Sequence, residues 1–254
     1  MILRVDEFDR TALRSDKDGY RVHRDYAAHY FRWGWAVNRA AGTCGIVGKR
    51  VLDVCAGKEL MLAHVAEMAA RQPAVMVTVD LNVSTYKHHP KWLEASYQAN
   101  FADIETQRMI WDNHGGAFDV ITCFEGIEHM PVESGRALLQ GIHRLLADDG
   151  FALLSTPVFN GHAAANHIHE YTVEELAGEI AAAGFVVEDR FGTFASANDV
   201  KKAMAEWPTE DREVVERLLR ALGRFHSPDV LACFLAPIIP DHARNNVWKL
   251  RKSV

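Results

Sequence analysis

The segment from Lys49 to Leu60 constrains the fold more than any other stretch of the chain. An apolar run, Arg50 to Val54, includes an acid at Asp53 and gives way to three small residues, Cys55-Ala56-Gly57. Leu60, Met61, Leu62, Val65 and Met68 then recur at helical spacing. A strand joined to a helix by so short a turn belongs to an open α/β sheet, where the loop and the helix amino terminus form a ligand crevice lined by unpaired backbone N–H groups. Small side chains in that turn let a ligand approach the main chain closely. Glu59 adds a carboxylate on the first helical turn, where the dipole favours it and where it either contacts a ligand or caps the helix.

A second acid strengthens the pattern. The run Gln72 to Leu81 reads as another buried strand and ends at Asp80, where a βαβ unit presents a carboxylate to ribose hydroxyls. Nicotinamide-binding folds share this acid but require Gly-x-Gly-x-x-Gly after the first strand, which this chain lacks. Further on, Lys91 to Gln98 is expected as a short helix, and Asn100 to Ile104 as a short third strand with Asp103 near its end. Gly116 to Glu125 is the fourth strand, opened by a Gly-Gly turn. Arg136 to Ala147 is a helix with Leu138, Leu139, Ile142, Leu145 and Leu146 on one face, followed by an Asp-Asp-Gly turn and a fifth strand, Gly150 to Pro157. Thr172-Val-Glu-Glu175 is a capping box opening a helix that Gly184 ends. Phe185 to Thr193 and Asn245 to Arg251 complete the strands, and residues 197 to 240 are helical with breaks at Pro208, Ser227-Pro228 and Pro237.

Composition narrows the function classes. A chain of 254 residues with 48% hydrophobic content supports one sizeable domain with appendages. A formal charge of −6 disfavours extended binding along nucleic-acid backbones, which draws its affinity from clustered Lys and Arg. Cys44, Cys55, Cys123 and Cys233 are far apart with no Cys-x-x-Cys pair, so free thiols in a reducing, cytoplasmic setting are the simplest expectation. Neither a signal-peptide core nor a run of about 18 apolar residues is present, so no membrane span is expected. The spacing says nothing of oligomeric state.

The ordered set of Asp53/Gly57, Asp80, Phe118-Asp-Val, Glu125-Gly-Ile-Glu-His129, Ser155-Thr-Pro157 and His169-Glu-Tyr-Thr172 resembles class I S-adenosylmethionine (SAM)-dependent methyltransferases. The resemblance covers about residues 45 to 195 and the terminal strand. It departs from the family's first motif at Cys55 and Glu59, where glycines are usual. What it implies is an α/β, Rossmann-like, seven-stranded and mostly parallel sheet with helices on both faces and a helical insertion before an antiparallel last strand. Residues 1–45 would form a helical cap, 46–195 the SAM-binding core, 196–244 the insertion over the carboxyl edge of the sheet, and 245–254 the last strand, all within one methyltransferase domain. Cofactor contacts are then expected at Asp53, Cys55, Ala56, Gly57, Glu59, Asp80, Leu81, Asp103 and Phe124. The implied activity is methyl transfer from SAM to an O or N nucleophile of a small molecule, sugar or nucleotide.

Catalytic candidates follow the fourth and fifth strands. Glu125, Glu128 and His129 share a face if their segment turns helically, while His167 and His169 come from the loop after the neighbouring strand. His129, His169 and Glu125 are candidate proton acceptors or orienting groups. Glu125, Glu128, His129 and His167 also form a candidate ligand set for a divalent metal, since oxygen and nitrogen donors suit Mg, Mn, Fe or Zn. The Glu-x-x-Glu-His spelling resembles the metal-binding motif of small-RNA 2′-O-methyltransferases and of ubiquinone-pathway O-methyltransferases. Two other readings stay open, a metal-assisted RNA or nucleotide 2′-O-methyltransferase and a non-catalytic SAM-binding regulatory protein. Tyr26, Tyr30, Phe31, Trp33 and Trp35 form either a base-stacking platform or a packing stripe. Tyr86 to His89 either lines the cofactor mouth or is solvated loop, and Arg244, Lys249, Arg251 and Lys252 read as charge guards on an edge strand.

Overall fold

The computed structural model describes residues 15–16, 19–20, 28, 30–40, 42, 45–58, 60–82 and 90–253. Glu59, Tyr26, Cys44 and the segment Tyr86 to His89 lie outside the described residues. Seven strands form one sheet: β1 Arg50–Val54, β2 Val75–Asp80, β3 Leu93–Gln98, β4 Phe118–Phe124, β5 Leu146–Pro157, β6 Phe185–Phe194 and β7 Asn245–Lys252. Their order is β3-β2-β1-β4-β5-β7-β6, with β7 antiparallel. The pairs β1–β2, β1–β4, β2–β3 and β4–β5 are parallel. Because the order reverses between β1 and β4, the carboxyl ends of these two strands flank a topological switch point, where open α/β sheets bind ligands.

The chain divides into two compact units, Arg32–Arg190 with Val247–Val254, and Phe191–Asn246 with the residues up to Phe31. In the larger, α1 Met61–Met68, α2 Ile104–His114, α3 Val132–Leu145 and α4 Val173–Ala182 pack on the sheet. One cluster joins Leu52, Val54, Val77 and Ile121 to Leu138, Leu139 and Ile142 of α3 and Leu176 and Ile180 of α4. A second joins Val51, Met76, Val120 and Leu153 to Leu62, Ala63 and Ala66 of α1. β1, β2 and β4 contribute to both clusters, which explains why they read as continuous apolar runs. In the smaller unit, α5 Ala197–Ala205, α6 Thr209–Leu222 and α7 Pro228–Leu235 stand between the expected breaks. Their shared core includes Val200, Ala203, Met204, Ala232, Ala236 and Ile239.

Most sequence expectations are met within a few residues, and the Thr172 capping box is present in full, with Glu175 N donating to Thr172 Oγ1 at 3.2 Å and Thr172 N to Glu175 Oε2 at 2.8 Å. Three differ. The expected helix at Lys91 to Gln98 is the strand β3: Leu93, Ala95 and Tyr97 turn inward while Glu94, Ser96 and Gln98 are exposed, a period of two. The expected strand at Asn100 to Ile104 is a turn leading into α2, with Asp103 at the amino-terminal cap position. Finally, β7 is interior, lying between β5 and β6, so its cations do not guard an edge. Lys249 and Arg251 pair with Glu188 at 3.1 and 2.9 Å, Lys252 pairs with Asp148 at 2.9 Å, and Arg244 with Asp199 at 2.6 Å. Of the aromatic stripe, Trp33 lies edge-on to Phe124 at 6.2 Å and Trp35 packs against the second cluster.

Candidate active site

At the carboxyl end of β1 the chain makes a tight left-handed turn, with φ of 56° at Cys55 and 70° at Gly57. That geometry aims the Gly57 amide at Asp80 Oδ2, 3.0 Å away at the end of β2. The other carboxylate oxygen, Oδ1, accepts from the Asn82 backbone N–H at 2.8 Å and its side-chain amide at 3.3 Å. Asp80 is thereby fixed in orientation while its remaining lone pairs face a cavity of about 480 Å³. Cys55, Gly57, Asp80 and Leu81 line that cavity from the β1 and β2 side, and Glu125, Gly126 and His129 line it from the β4 side.

Asp53 sits beneath the turn rather than in the cavity. It is buried, and Thr122 Oγ1 donates to its Oδ1 at 2.5 Å. Burial pushes its carboxyl up to about 7, against the opposing pull of the Thr122 hydrogen bond. The Ala56 amide is held by Val79 O at 3.3 Å, and Phe124 is buried against Trp33. Asp103 accepts from Asn100 Nδ2 at 3.1 Å, and the cavity wall there is Asn100, Phe101 and Ala102 instead. Those three, with Asn82, Met130 and Ser134, were missed from the sequence, because they are set by the turns after β2 and β3 and by the start of α3 rather than by a spelling. Placing a helix on the β3 segment hid Asn100, Phe101 and Ala102.

The β4 side is more heavily charged. Glu125 ends the strand with φ of 54°, its carboxylate held by Arg32 Nη2 at 3.2 Å and Ser155 Oγ at 2.8 Å. Glu128 lies on a single 3-10 turn, Ile127–His129, and is buried. Thr156 Oγ1 donates to Glu128 Oε2 at 3.1 Å, while Oε1 is buried with no hydrogen-bond partner among the described residues. Burial, followed by repulsion from Glu125, pushes the Glu128 carboxyl up to about 8. The loop after β5 folds back over it, donating the Ile168 and His169 amides to Glu128 O at 2.8 and 3.1 Å.

Both neighbouring imidazoles are oriented through Nδ1. His129 Nδ1 donates to the Asn166 carbonyl at 3.0 Å, and His167 Nδ1 bonds the buried Glu170 carboxylate at 2.5 Å. A carbonyl can only accept, so His129 carries a proton on Nδ1, and in the neutral ring Nε2 is the nitrogen with the lone pair. The rings meet edge to face at 4.9 Å. Glu128, His129 and His167 each offer a ligand atom, all within 4.8 Å of one another. The structure thus brings together three of the four expected metal ligands, while Glu125 is engaged by Arg32 and Ser155. His169 stacks edge-on with Tyr171 at 4.5 Å and is not among the residues lining the cavity.

Comparison with known proteins agrees with this geometry. A family model described as a methyltransferase domain matches residues 24–190. The ubiquinone biosynthesis O-methyltransferase of Escherichia fergusonii is 32% identical over 133 residues, covering 51% of this chain and 50% of that one. The protein of the same name from Pseudomonas aeruginosa is 29% identical over 128 residues, covering 49% and 50%. The chain therefore spans about half the length of the curated relatives it matches. Among solved structures, the Burkholderia thailandensis 1,6-didemethyltoxoflavin-N1-methyltransferase, with bound 1,6-didemethyltoxoflavin and S-adenosylhomocysteine, aligns with a TM-score of 0.56 at 19% identity over 91% of this chain and 80% of that one. A SAM-dependent methyltransferase from Archaeoglobus fulgidus aligns at 0.52 and 15% identity over 97% and 98%. These two share the fold. On the family match over residues 24–190, and on the sheet order, the chain belongs to the class I S-adenosylmethionine-dependent methyltransferases.

Proposed function

We propose that the chain transfers a methyl group from SAM to a hydroxyl oxygen of a small molecule, with His129 as the proton acceptor. The observation that carries this reading is the His129 tautomer: its Nδ1–H is committed to Asn166 O, and the ring lines the same cavity as Asp80. A sulfonium already makes its methyl electrophilic, so the protein's task is to align nucleophile, methyl and sulfur and to take up the acceptor's proton. Asp80 would hold the ribose hydroxyls, with Cys55, Gly57 and Leu81 around the rest of the cofactor and the turn Asn100–Ala102 near the adenine. Glu125, fixed by Arg32 and Ser155, would shape the wall beside the methyl. An oxygen acceptor is favoured over nitrogen because the two ubiquinone-pathway relatives are named O-methyltransferases. A nitrogen acceptor remains the alternative product.

The residues also fit a divalent cation. Glu128 Oε1 is buried without a hydrogen-bond partner among the described residues, and each histidine is oriented by a carbonyl or carboxylate at Nδ1, the usual support for a metal-binding imidazole. Glu128, His129 and His167 would hold it, and such an ion would supply Lewis-acid polarisation of an acceptor hydroxyl. In that case His129 would act as a ligand and the hydroxyl proton would leave by another route.

Calorimetry with SAM and S-adenosylhomocysteine, followed by mass-spectrometric search for methylated products across hydroxylated small molecules, tests the reading. Absence of binding by either ligand would sink it. Binding without transfer to any acceptor would favour a SAM-binding regulator. Turnover unchanged by a strong chelator, with no bound metal in the purified protein, would leave His129 as the base.

A further inference from the structure

Cys55 and Cys123 are the nucleophilic groups beside the cofactor cavity that methyl transfer does not use. Val54 of β1 pairs with Cys123 of β4 in parallel register, so Cys55, one residue further along, stands diagonally across from Cys123. For strands about 4.8 Å apart with a rise of about 3.3 Å per residue, that diagonal puts the two Cα atoms about 5.8 Å apart. Disulfide-bonded cysteines span roughly 4.4–6.8 Å between Cα atoms. The side chains converge as well. A Cβ built on Gly126 would lie 2.6 Å from Cys55 Cβ, 2.7 Å from Cys55 Sγ and 3.3 Å from Cys123 Sγ, so both sulfurs crowd one point that only a glycine leaves open. Cys55 is half-buried and lines the cavity, whereas Cys123 is fully buried behind it. The Cys123 thiol is held well above its ordinary range, first by its hydrogen bond with Cys55 and then by burial.

We propose that Cys55 and Cys123 form a reversible oxidation site at the floor of the cofactor crevice, and that closing the disulfide weakens SAM binding. The oxidant is hydrogen peroxide. The accessible Cys55 sulfur attacks the peroxide, an S–O bond forms, the O–O bond breaks, and the departing oxygen leaves as water. Cys123 sulfur then attacks the Cys55 sulfenic acid, the S–O bond breaks, a second water leaves and the S–S bond forms. Two thiols are thus oxidised by two electrons while one hydrogen peroxide is reduced, and a dithiol reverses the change. Bonded sulfurs stand much closer than hydrogen-bonded ones, so Cys55 must move toward β4. It carries with it the left-handed turn that presents the Gly57 amide to Asp80.

The inference rests on the cavity being the SAM site, and the test separates the two claims. The purified full chain is compared in dithiothreitol and after mild hydrogen peroxide, by intact mass, by peptide mapping and by calorimetry with SAM. The expected result is a mass loss of two hydrogens, a linked Cys55–Cys123 peptide, and an affinity weakened about tenfold or more, all restored by dithiothreitol. Cys123→Ala should bind SAM like the reduced protein and, after peroxide, should yield no linked peptide, its Cys55 gaining oxygen instead of losing hydrogen. Should that variant fail to fold, Cys55→Ser decides by intact mass: the two-hydrogen loss must disappear, and a loss that persists would place the bridge elsewhere and overturn the site. Oxygen addition without the linked peptide overturns the site, and a bridge that leaves SAM affinity unchanged overturns the gating. If the reduced protein does not bind SAM, the cofactor reading fails, and the mass experiment still decides whether the bridge forms.

Discussion

The two walls of the cavity are built in opposite ways. On the β1–β2 side, the lining is a backbone turn and one carboxylate, Asp80, whose orientation is set by main-chain and amide donors. On the β4–β5 side it is Glu125, held by Arg32 and Ser155, and His129, with Glu128 on Thr156 and His167 on Glu170 packed beyond the lining. A backbone wall tolerates sequence change, which is why Cys55 can stand where glycine is usual with its φ still in the left-handed region. A side-chain wall does not, because each buried polar group depends on its partner.

The sharpest way to break this contrast is His129→Ala. If the β4–β5 wall performs the proton transfer, turnover should fall by about 10²–10⁴-fold while SAM affinity changes by less than about threefold. Steady-state kinetics beside calorimetry would check it, and a parallel loss of SAM binding would contradict the division of labour.

The next effect concerns Asp53, which lies under the β1 wall. Its folded carboxyl is raised to about 7 from an ordinary 3.8, so between those values the folded chain binds more protons than the unfolded one. Stability conferred by this group is therefore present at acid pH and declines as pH rises from about 4 to about 7, by up to about 4 kcal/mol. Asp53→Asn should flatten that slope and stabilise the protein above neutrality. Urea denaturation at pH 5 and pH 8 reads it directly, and an unchanged slope in the variant would show that Asp53 ionises normally. Asp80→Ala should cost about 1.5–3 kcal/mol of SAM binding, the range for a hydrogen bond to a charged group, with kcat at saturating SAM largely kept.

The same contrast governs what could be read in the sequence. β1, β2 and β4 are apolar along nearly their whole length because they are buried, so their ends, and with them Asp53, Asp80 and Glu125, were visible at once. β3 is an edge strand with one solvated face, and Glu94, Ser96 and Gln98 diluted its apolar signal enough to pass for a helix. That error hid the turn Asn100–Ala102 and the helix α2. Around Glu128 the residue types were legible, but their partners were not. The Asn166 carbonyl that sets the His129 tautomer is main chain, and Glu170, which orients His167, read in the sequence only as part of a motif. The interior place of β7 was also hidden, since β6 and β7 are joined across a long helical segment and their pairing order is a property of topology.

The smallest predicted effect probes how the side-chain wall is anchored. The loop after β5 returns to the sheet through a parallel bridge between Val158 and Tyr171, and the next residue, Thr172, caps α4. Thr172→Ala removes the oxygen that accepts from Glu175 N and should cost about 1 kcal/mol, lowering Tm by about 2–4 °C. Glu175 can still reach the backbone amide of residue 172, so half of the box survives. Because the cap anchors the loop bearing His167 and Glu170 and, among the described residues, bonds only within α4, SAM affinity should stay constant. Any loss of function should appear in turnover. Thermal unfolding with calorimetry on one sample measures both, and a SAM affinity that falls with Tm would mean that the two walls share their stability rather than dividing it.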